Sequence, residues 1–208
     1  MRVVNMYAEV DASKCTGCQT CEKVCPTLSI KVGKIDGKRK AQVNLDTCVG
    51  CGACSERCQF RAVNLKNLSQ PRILAIDLES VDRIKIKELC LKARLHPEQI
   101  VCFCTGTRAE EIAAAILHGA SSPEEISRTV GARTGCKVEC IQPILRLLFA
   151  AGKDPKPIKG GWQWYGLTPT LWDIPEEVIE KYSSRGFYFE EDRAIFRKLL
   201  DLAEKRGE

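Results

Sequence analysis

The residues in this chain whose types and spacing could do chemistry are its cysteines. Residues 15–25 read Cys15-Thr-Gly-Cys18-Gln-Thr-Cys21-Glu-Lys-Val-Cys25, and residues 48–58 read Cys48-Val-Gly-Cys51-Gly-Ala-Cys54-Ser-Glu-Arg-Cys58. Both runs follow C-x2-C-x2-C-x3-C, and their first cysteines lie 33 positions apart, which marks an internal duplication. Three cysteines separated by pairs of residues wrap one iron–sulfur cubane. The fourth, three residues further along a short helix, points away and ligates the neighbouring cluster. The spacing therefore predicts one [4Fe–4S] cluster on Cys15, Cys18, Cys21 and Cys58, and a second on Cys48, Cys51, Cys54 and Cys25. Gly17, Gly50 and Gly52 supply a permissive backbone whose N–H groups can approach the sulfides as an anion nest. Zinc is the competing metal, but zinc ribbons use two separated C-x2-C pairs rather than four cysteines in one run.

A second arrangement lies downstream: Cys102-Phe-Cys104, then Cys136-Lys-Val-Glu-Cys140. It brings the proposed ligands to twelve of 13 cysteines, and the thirteenth, Cys90, reads as a buried thiol acting as a small hydrophobe. The chain has two histidines, His96 and His118, and no G-x-G-x-x-G, P-loop or H-E-x-x-H sequence. Nucleophilic or His-based acid–base catalysis is thereby disfavoured. Clusters with complete thiolate ligation have no open position for substrate and pass single electrons, so no catalytic residue is assigned.

Several elements must position these thiols. Val3 to Val10, Ile30 to Val32, Ala41 to Val43 and Ala62 to Leu65 read as short strands, with a turn near Asp36-Gly37, a favoured hairpin dipeptide. Residues 1–66 form one pseudo-symmetric module. Residues 67–100 form a helical connector: Pro71 breaks the chain, and Val81 to Leu95 carries Val81, Ile84, Leu89, Leu91 and Leu95 partly on one helical face until His96-Pro97 ends it. Residues 101–152 form a small all-α unit. Thr107-Arg-Ala-Glu110 and Ser122-Pro-Glu-Glu125 read as capping boxes, and His118-Gly119 closes the first helix. A third helix begins at Cys136 or, given Pro143, after Cys140. Residues 153–208 hold no cysteine but 9 of the 13 aromatics. After a linker at residues 153–161, Trp162, Trp164, Tyr165 and Trp172 precede two terminal helices, Pro175 to Ser184 and Glu190 to Arg206. This segment reads as a partner-docking surface or as a lid over the chain's own clusters. The fold class expected is α+β.

With these motifs in view, residues 1–66 resemble a bacterial-type two-[4Fe–4S] ferredoxin, although Gln59 stands where proline usually follows the last cysteine. Residues 101–152 resemble the bacterioferritin-associated-ferredoxin-like [2Fe–2S] domain. That family has C-x-C, about thirty residues and a second pair, usually C-x2-C where this chain has C-x3-C. The resemblance implies a [2Fe–2S] cluster on Cys102, Cys104, Cys136 and Cys140, with zinc the alternative at these four thiolates. The pairing of domains is similar to small iron–sulfur subunits of flavin-dependent dehydrogenase complexes. It implies an electron-transfer subunit between a flavin-dependent dehydrogenase or reductase and another redox carrier, in a hetero-oligomer. Such [2Fe–2S] domains also occur in a copper chaperone, so metal handling is one rival. A redox-sensing regulator is another, resting on Lys38-Arg39-Lys40.

Charge and composition bound these readings. The formal charge is +5, and residues 1–66 hold 11 Lys and Arg against 6 Asp and Glu. Each cluster with its thiolates carries roughly −2, so three clusters would erase the excess, and nucleic acid is not an expected partner. No uncharged apolar run approaches eighteen residues, so direct membrane insertion is not expected. The N-terminal run MRVVNMYAEVD lacks an apolar core and a small-residue cleavage site, and the expected location is the cytoplasm. Thirteen cysteines in such a chain point to metal rather than disulfides.

Overall fold

The computed structural model describes residues 2–158 and 161–205. The fold is α+β, with small antiparallel sheets in the N-terminal part and helices dominating thereafter. Strand β1 (Arg2–Val10) pairs with β4 (Val63–Leu74), and β2 (Ile30–Ile35) pairs with β3 (Lys38–Val43). Asp36 and Gly37 both take positive φ, 48° and 77°, as the two-residue turn of a twisted hairpin requires. Helices α1 (Thr20–Val24) and α2 (Ala53–Glu56) are single turns inside the two cysteine arrays.

The duplication is visible in the backbone as well as in the cysteines. Left-handed residues recur 33 positions apart at Gly17 and Gly50, at Gln19 and Gly52, and at Leu28 and Arg61. Only two of these pairs contain a glycine, so the surrounding structure imposes the conformation on Gln19, Leu28 and Arg61. Ala8, Ile30, Ala41 and Val63 pack with Cys21, Cys48 and Cys54 in a small core. Aliphatic burial here is modest, because thiols occupy much of the interior.

Strand β4 departs from the expected Ala62 to Leu65. It continues past residue 66 to Leu74, and Arg72, Ile73 and Leu74 pair with Val4, Val3 and Arg2. Pro71 does not end the strand because the register shifts there. Val4 faces Arg72 and Met6 faces Asn67, so residues 68–71 bulge opposite Asn5. A proline in a bulge removes no ladder hydrogen bond.

The expected connector belongs to the second core. Helix α3 (Arg83–Lys92) is capped by Asp82, whose Oδ1 accepts from the N–H of Ile84 at 2.9 Å. Ile86, Leu89 and Cys90 are its buried face, whereas Ile84 is exposed and Val81 is extended. Leu89 and Leu95 of the expected face are buried, but Ile84 faces solvent and Val81 precedes the helix, because the cap lies at 82 and not before 81. Helices α4 (Ala109–Leu117), α5 (Pro123–Val130) and α6 (Ile141–Ala150) complete this core through Ile112, Ile126, Val130, Ile144, Leu147 and Leu148. A short hairpin of β5 (Ile100–Cys102) and β6 (Thr107–Arg108) carries the first cysteine pair, so the unit is not wholly helical.

Its caps follow the sequence with one shift. The carboxylate of Glu111 accepts from the Arg108 N–H at 2.8 Å, moving the start of α4 one residue beyond the expected Thr107 box. Thr107 is fully buried and hydrogen-bonds Thr105 instead. Ser122 caps α5 through the N–H of Glu125, with Pro123 in the first turn and Gly131 left-handed beyond its end. Helix α4 ends at His118, whose Nε2 lies 3.0 Å from Ser80 Oγ. Helix α6 begins after Cys140, which leaves Pro143 harmlessly in its first turn.

The C-terminal part forms α7 (Glu176–Ser183) and α8 (Phe189–Lys205), close to the expected helices. Lys159 and Gly160 of the expected linker, and Arg206, lie outside the described residues. Before α7 the chain runs across α5 and α6. Tyr165 donates to Glu124 Oε2 at 2.6 Å, and the N–H of Thr168 donates to Gln142 Oε1 at 2.8 Å. No helix among the described residues is long and apolar enough to cross a membrane.

Candidate metal centres

The cysteines of the two N-terminal arrays surround two separate cavities. Cys15, Cys18, Cys21 and Cys58 line one, together with Val32, Ala41 and Phe60. Cys25, Cys48, Cys51 and Cys54 line the other, together with Ile30, Val43 and Leu65. Each cavity takes three thiols from one array and a fourth from the other. The short helices α1 and α2 produce this exchange: Cys21 and Cys54 sit on them, and Cys25 and Cys58 leave them on the far side.

Backbone donors face these sulfurs at equivalent places. The Ser29 N–H lies 3.2 Å from Cys25 Sγ, and the Ala62 N–H lies 3.3 Å from Cys58 Sγ. The Ala41 N–H lies 3.4 Å from Cys15 Sγ. These N–H groups point at the sulfurs as the donors of an anion nest do. At the helical positions burial pushes the Cys21 thiol up to about 11 and the Cys54 thiol up to about 12. A sulfur so placed ionises when a cation binds, which couples metal binding to proton release.

Two glycines close the loops. A Cβ on Gly17 would stand 2.5 Å from the carbonyl oxygen of Arg39, and one on Gly50 would collide with the carbonyl of Met6. Both residues also have positive φ. The array loops therefore lie directly against β3 and β1, an approach that only glycine permits.

The downstream cysteines form two pairs. Cys102 and Cys140 are buried and hydrogen-bonded to each other, which lowers Cys102 to about 5 and raises Cys140. Cys104 and Cys136 are exposed, and the Cys136 N–H donates to Cys104 Sγ at 3.3 Å. The N–H groups of Val138 and Glu139, and then Cys104, lower the Cys136 thiol. The additional residue in C-x3-C is absorbed by a left-handed Lys137, φ 66°. Phe103 and Val138, within the two pairs, are 77% and 65% exposed and form an apolar border beside the outer thiols.

Among the described residues, no three His, Cys, Asp or Glu side chains converge on one point as ligands of a single ion do. The eight array thiols stand around two cavities, as thiols do when each binds a different iron of a cluster. Cys90 stands apart, fully buried in the helical core with its thiol pushed up to about 12 by burial.

Several residues that build these centres carry no signal in the sequence. Gly135 lies so close to Cys104 that a Cβ would meet its Sγ at 2.8 Å. Arg72 donates to the carbonyls of Asp46, at 2.5 Å, and Cys48, and so supports the second array's entry. Glu124, 2% exposed, binds Arg133 at 2.9 Å and Tyr165. All but the Glu124–Arg133 pair, nine positions apart, join residues more than twenty apart, beyond the reach of local pattern.

No curated protein and no solved structure matches the chain. Residues 7–59 match the family model of the 4Fe-4S dicluster domain, and residues 100–149 match that of the BFD-like [2Fe-2S] binding domain. This chain thus joins a 4Fe–4S dicluster domain to a BFD-like [2Fe–2S] binding domain, in that order.

Proposed function

We propose that this protein is a cytoplasmic electron-transfer subunit that relays single electrons between a flavoprotein partner and another redox carrier. In this reading Cys15, Cys18, Cys21 and Cys58 hold one [4Fe–4S] cluster, and Cys48, Cys51, Cys54 and Cys25 hold a second, within a pseudo-symmetric module. Cys102, Cys104, Cys136 and Cys140 hold one [2Fe–2S] cluster. The observation that carries it is the sorting of eight array cysteines around two cavities, each completed by a thiol from the other array. When bound, the clusters supply one-electron redox chemistry. The chain's own residues orient the thiolates, donate N–H groups to them and exclude water with Ile30, Val32, Val43 and Leu65. Cys90 is sealed in the helical core and offers no further ligand, which disfavours the copper-handling reading.

The test is metal content. Anaerobically purified protein is expected to hold about ten iron atoms and little zinc, as two four-iron clusters and one two-iron cluster require. In Cys136→Ser about eight should remain. Eight iron and one zinc in the parent protein, with the zinc lost in Cys136→Ser, would replace the [2Fe–2S] assignment with a structural zinc site.

The C-terminal segment is proposed to dock the flavoprotein. Neither array cavity is lined by a residue beyond 65, and the third cysteine set ends at 140. Trp164 is 75% exposed, and α8 presents Ile195, Phe196, Leu199 and Leu202 on its surface. A chain truncated after residue 152 is expected to keep its iron and visible spectrum but lose co-purification with the flavoprotein. Interfacial Trp anchors are each worth about 2 kcal/mol or more, so replacing Trp162, Trp164 and Trp172 together by alanine should have the same effect. Trp162 also lies 3.8 Å under the Lys23 ammonium, so iron loss on truncation would identify the segment as a lid.

A further inference from the structure

The two iron–sulfur domains meet on one side of the N-terminal module only in part, and the contacts concentrate at one cavity. Arg2, at the start of β1, donates to the Val49 carbonyl at 3.3 Å and to Thr134 Oγ1. Val49 lies between Cys48 and Cys51, and Thr134 lies two residues before Cys136. The Arg2 side chain packs on Gly131, where a Cβ would stand 2.8 Å from Arg2 Cβ, and Thr134 Oγ1 donates to the Gly131 carbonyl at 2.6 Å. Arg128 adds a second tie, donating from Nε and its terminal nitrogen to the Thr27 carbonyl at 2.9 and 2.5 Å. Thr27 Oγ1 is itself 3.5 Å from Cys25 Sγ.

These ties run, directly or through Arg2, from residues 128–134 to the loops bearing Cys25, Cys48 and Cys51, which line one cavity. The other cavity has its own outlet, where Cys18 and Phe60 are exposed. Electron-transfer rates fall steeply with distance, so contacts that fix two centres side by side also fix their order. A guanidinium at such a junction favours the more negative, reduced states of both neighbours.

We propose that Arg2 is a positioning residue that locks the Cys25/Cys48/Cys51/Cys54 site against the Cys102/Cys104/Cys136/Cys140 site. That site is the middle of a three-site relay, and the Cys15/Cys18/Cys21/Cys58 site is its outer end. The inference rests on the three-cluster reading above and adds the order of the clusters and the residue that holds the junction.

The experiment is paramagnetic relaxation of the [2Fe–2S] signal in the fully reduced, full-length protein, with iron and zinc counted in each preparation. Removing the middle cluster by Cys54→Ala should abolish the relaxation enhancement of that signal, and removing the outer one by Cys21→Ala should leave it. Arg2→Ala should lose most of the enhancement and lower the potentials of both neighbours, and Arg2→Lys should keep the potentials nearer the parent values. Thr134→Val, which removes the acceptor of Arg2 and the donor to the Gly131 carbonyl, should weaken the enhancement with all iron retained. Enhancement that survives Cys54→Ala or vanishes in Cys21→Ala would overturn the order. Unchanged relaxation in both Arg2→Ala and Thr134→Val would overturn the role of Arg2. Zinc in place of two irons in the parent protein would instead overturn the three-cluster reading, and the metal count separates that result from the others.

Discussion

Cys25→Ala is expected to destroy the cluster site of the second array, and Cys58→Ala that of the first. Each substitution therefore acts on the array to which the residue does not belong in sequence. Cys25 shares its cavity with Cys48, Cys51 and Cys54, and Cys58 shares its cavity with Cys15, Cys18 and Cys21. An iron left without its thiolate is exposed to solvent in a cavity otherwise closed by apolar side chains, and a cubane held by three thiolates readily loses iron. Each variant should fall by up to four irons from about ten, with the remaining [4Fe–4S] signal intact by electron paramagnetic resonance. If Cys25→Ala spared the second array's signal and removed the first, the crossed arrangement would be wrong. Stability should fall as well, because cluster binding energy is folding energy for a module with so small an apolar core.

Gly50→Ala is expected to be nearly as damaging, although alanine carries no charge and only one added carbon. Two effects combine. At φ 59° an L-residue costs about 1–2 kcal/mol. The added methyl also collides with the Met6 carbonyl on β1, a strand held along its length by β4, so the loop must move instead. That loop carries Cys48 and Cys51, and the outcome should be loss of the second array's cluster with a clear fall in melting temperature. Gly37→Ala separates the two effects. Gly37 has φ 77° but nothing within 4 Å of a built Cβ, so it incurs the strain and meets no clash. Its variant should keep all its iron and lose only about 1–2 kcal/mol. Equal behaviour of the two variants would show that the approach of Gly50 to Met6 is not what shapes the site.

The grouping of the array cysteines was legible because its information is local. A thiol every third residue, then a fourth after three more, can satisfy only a compact multi-iron centre. The same spacing repeated 33 residues later marks a second such set, and the eight thiols line two separate cavities. Turn and cap chemistry was legible for the same reason, as Asp36-Gly37, Ser122-Pro123 and His118-Gly119 each act within a few residues. Where tertiary packing competes with local preference, it prevailed. Thr107 has the composition of a cap but is buried against Thr105, so α4 starts one residue later. Pro71 has the composition of a strand breaker but falls in a bulge, so β4 runs on to Leu74. Ile84 fits an apolar stripe, yet Asp82 sets the helix so that Ile86 and Cys90 face inward. The junction of Arg2 with Thr134 and of Arg128 with Thr27 could not be read at all. These partners are 132 and 101 residues apart, and arginine, threonine and a backbone carbonyl have no spacing that marks them as a pair. Sequence determined which thiols form candidate iron-binding sets, because such sets are marked by short-range spacing. Tertiary structure alone decided which cysteine loops lie against residues 128–134, because that depends on how two cores come to rest against each other.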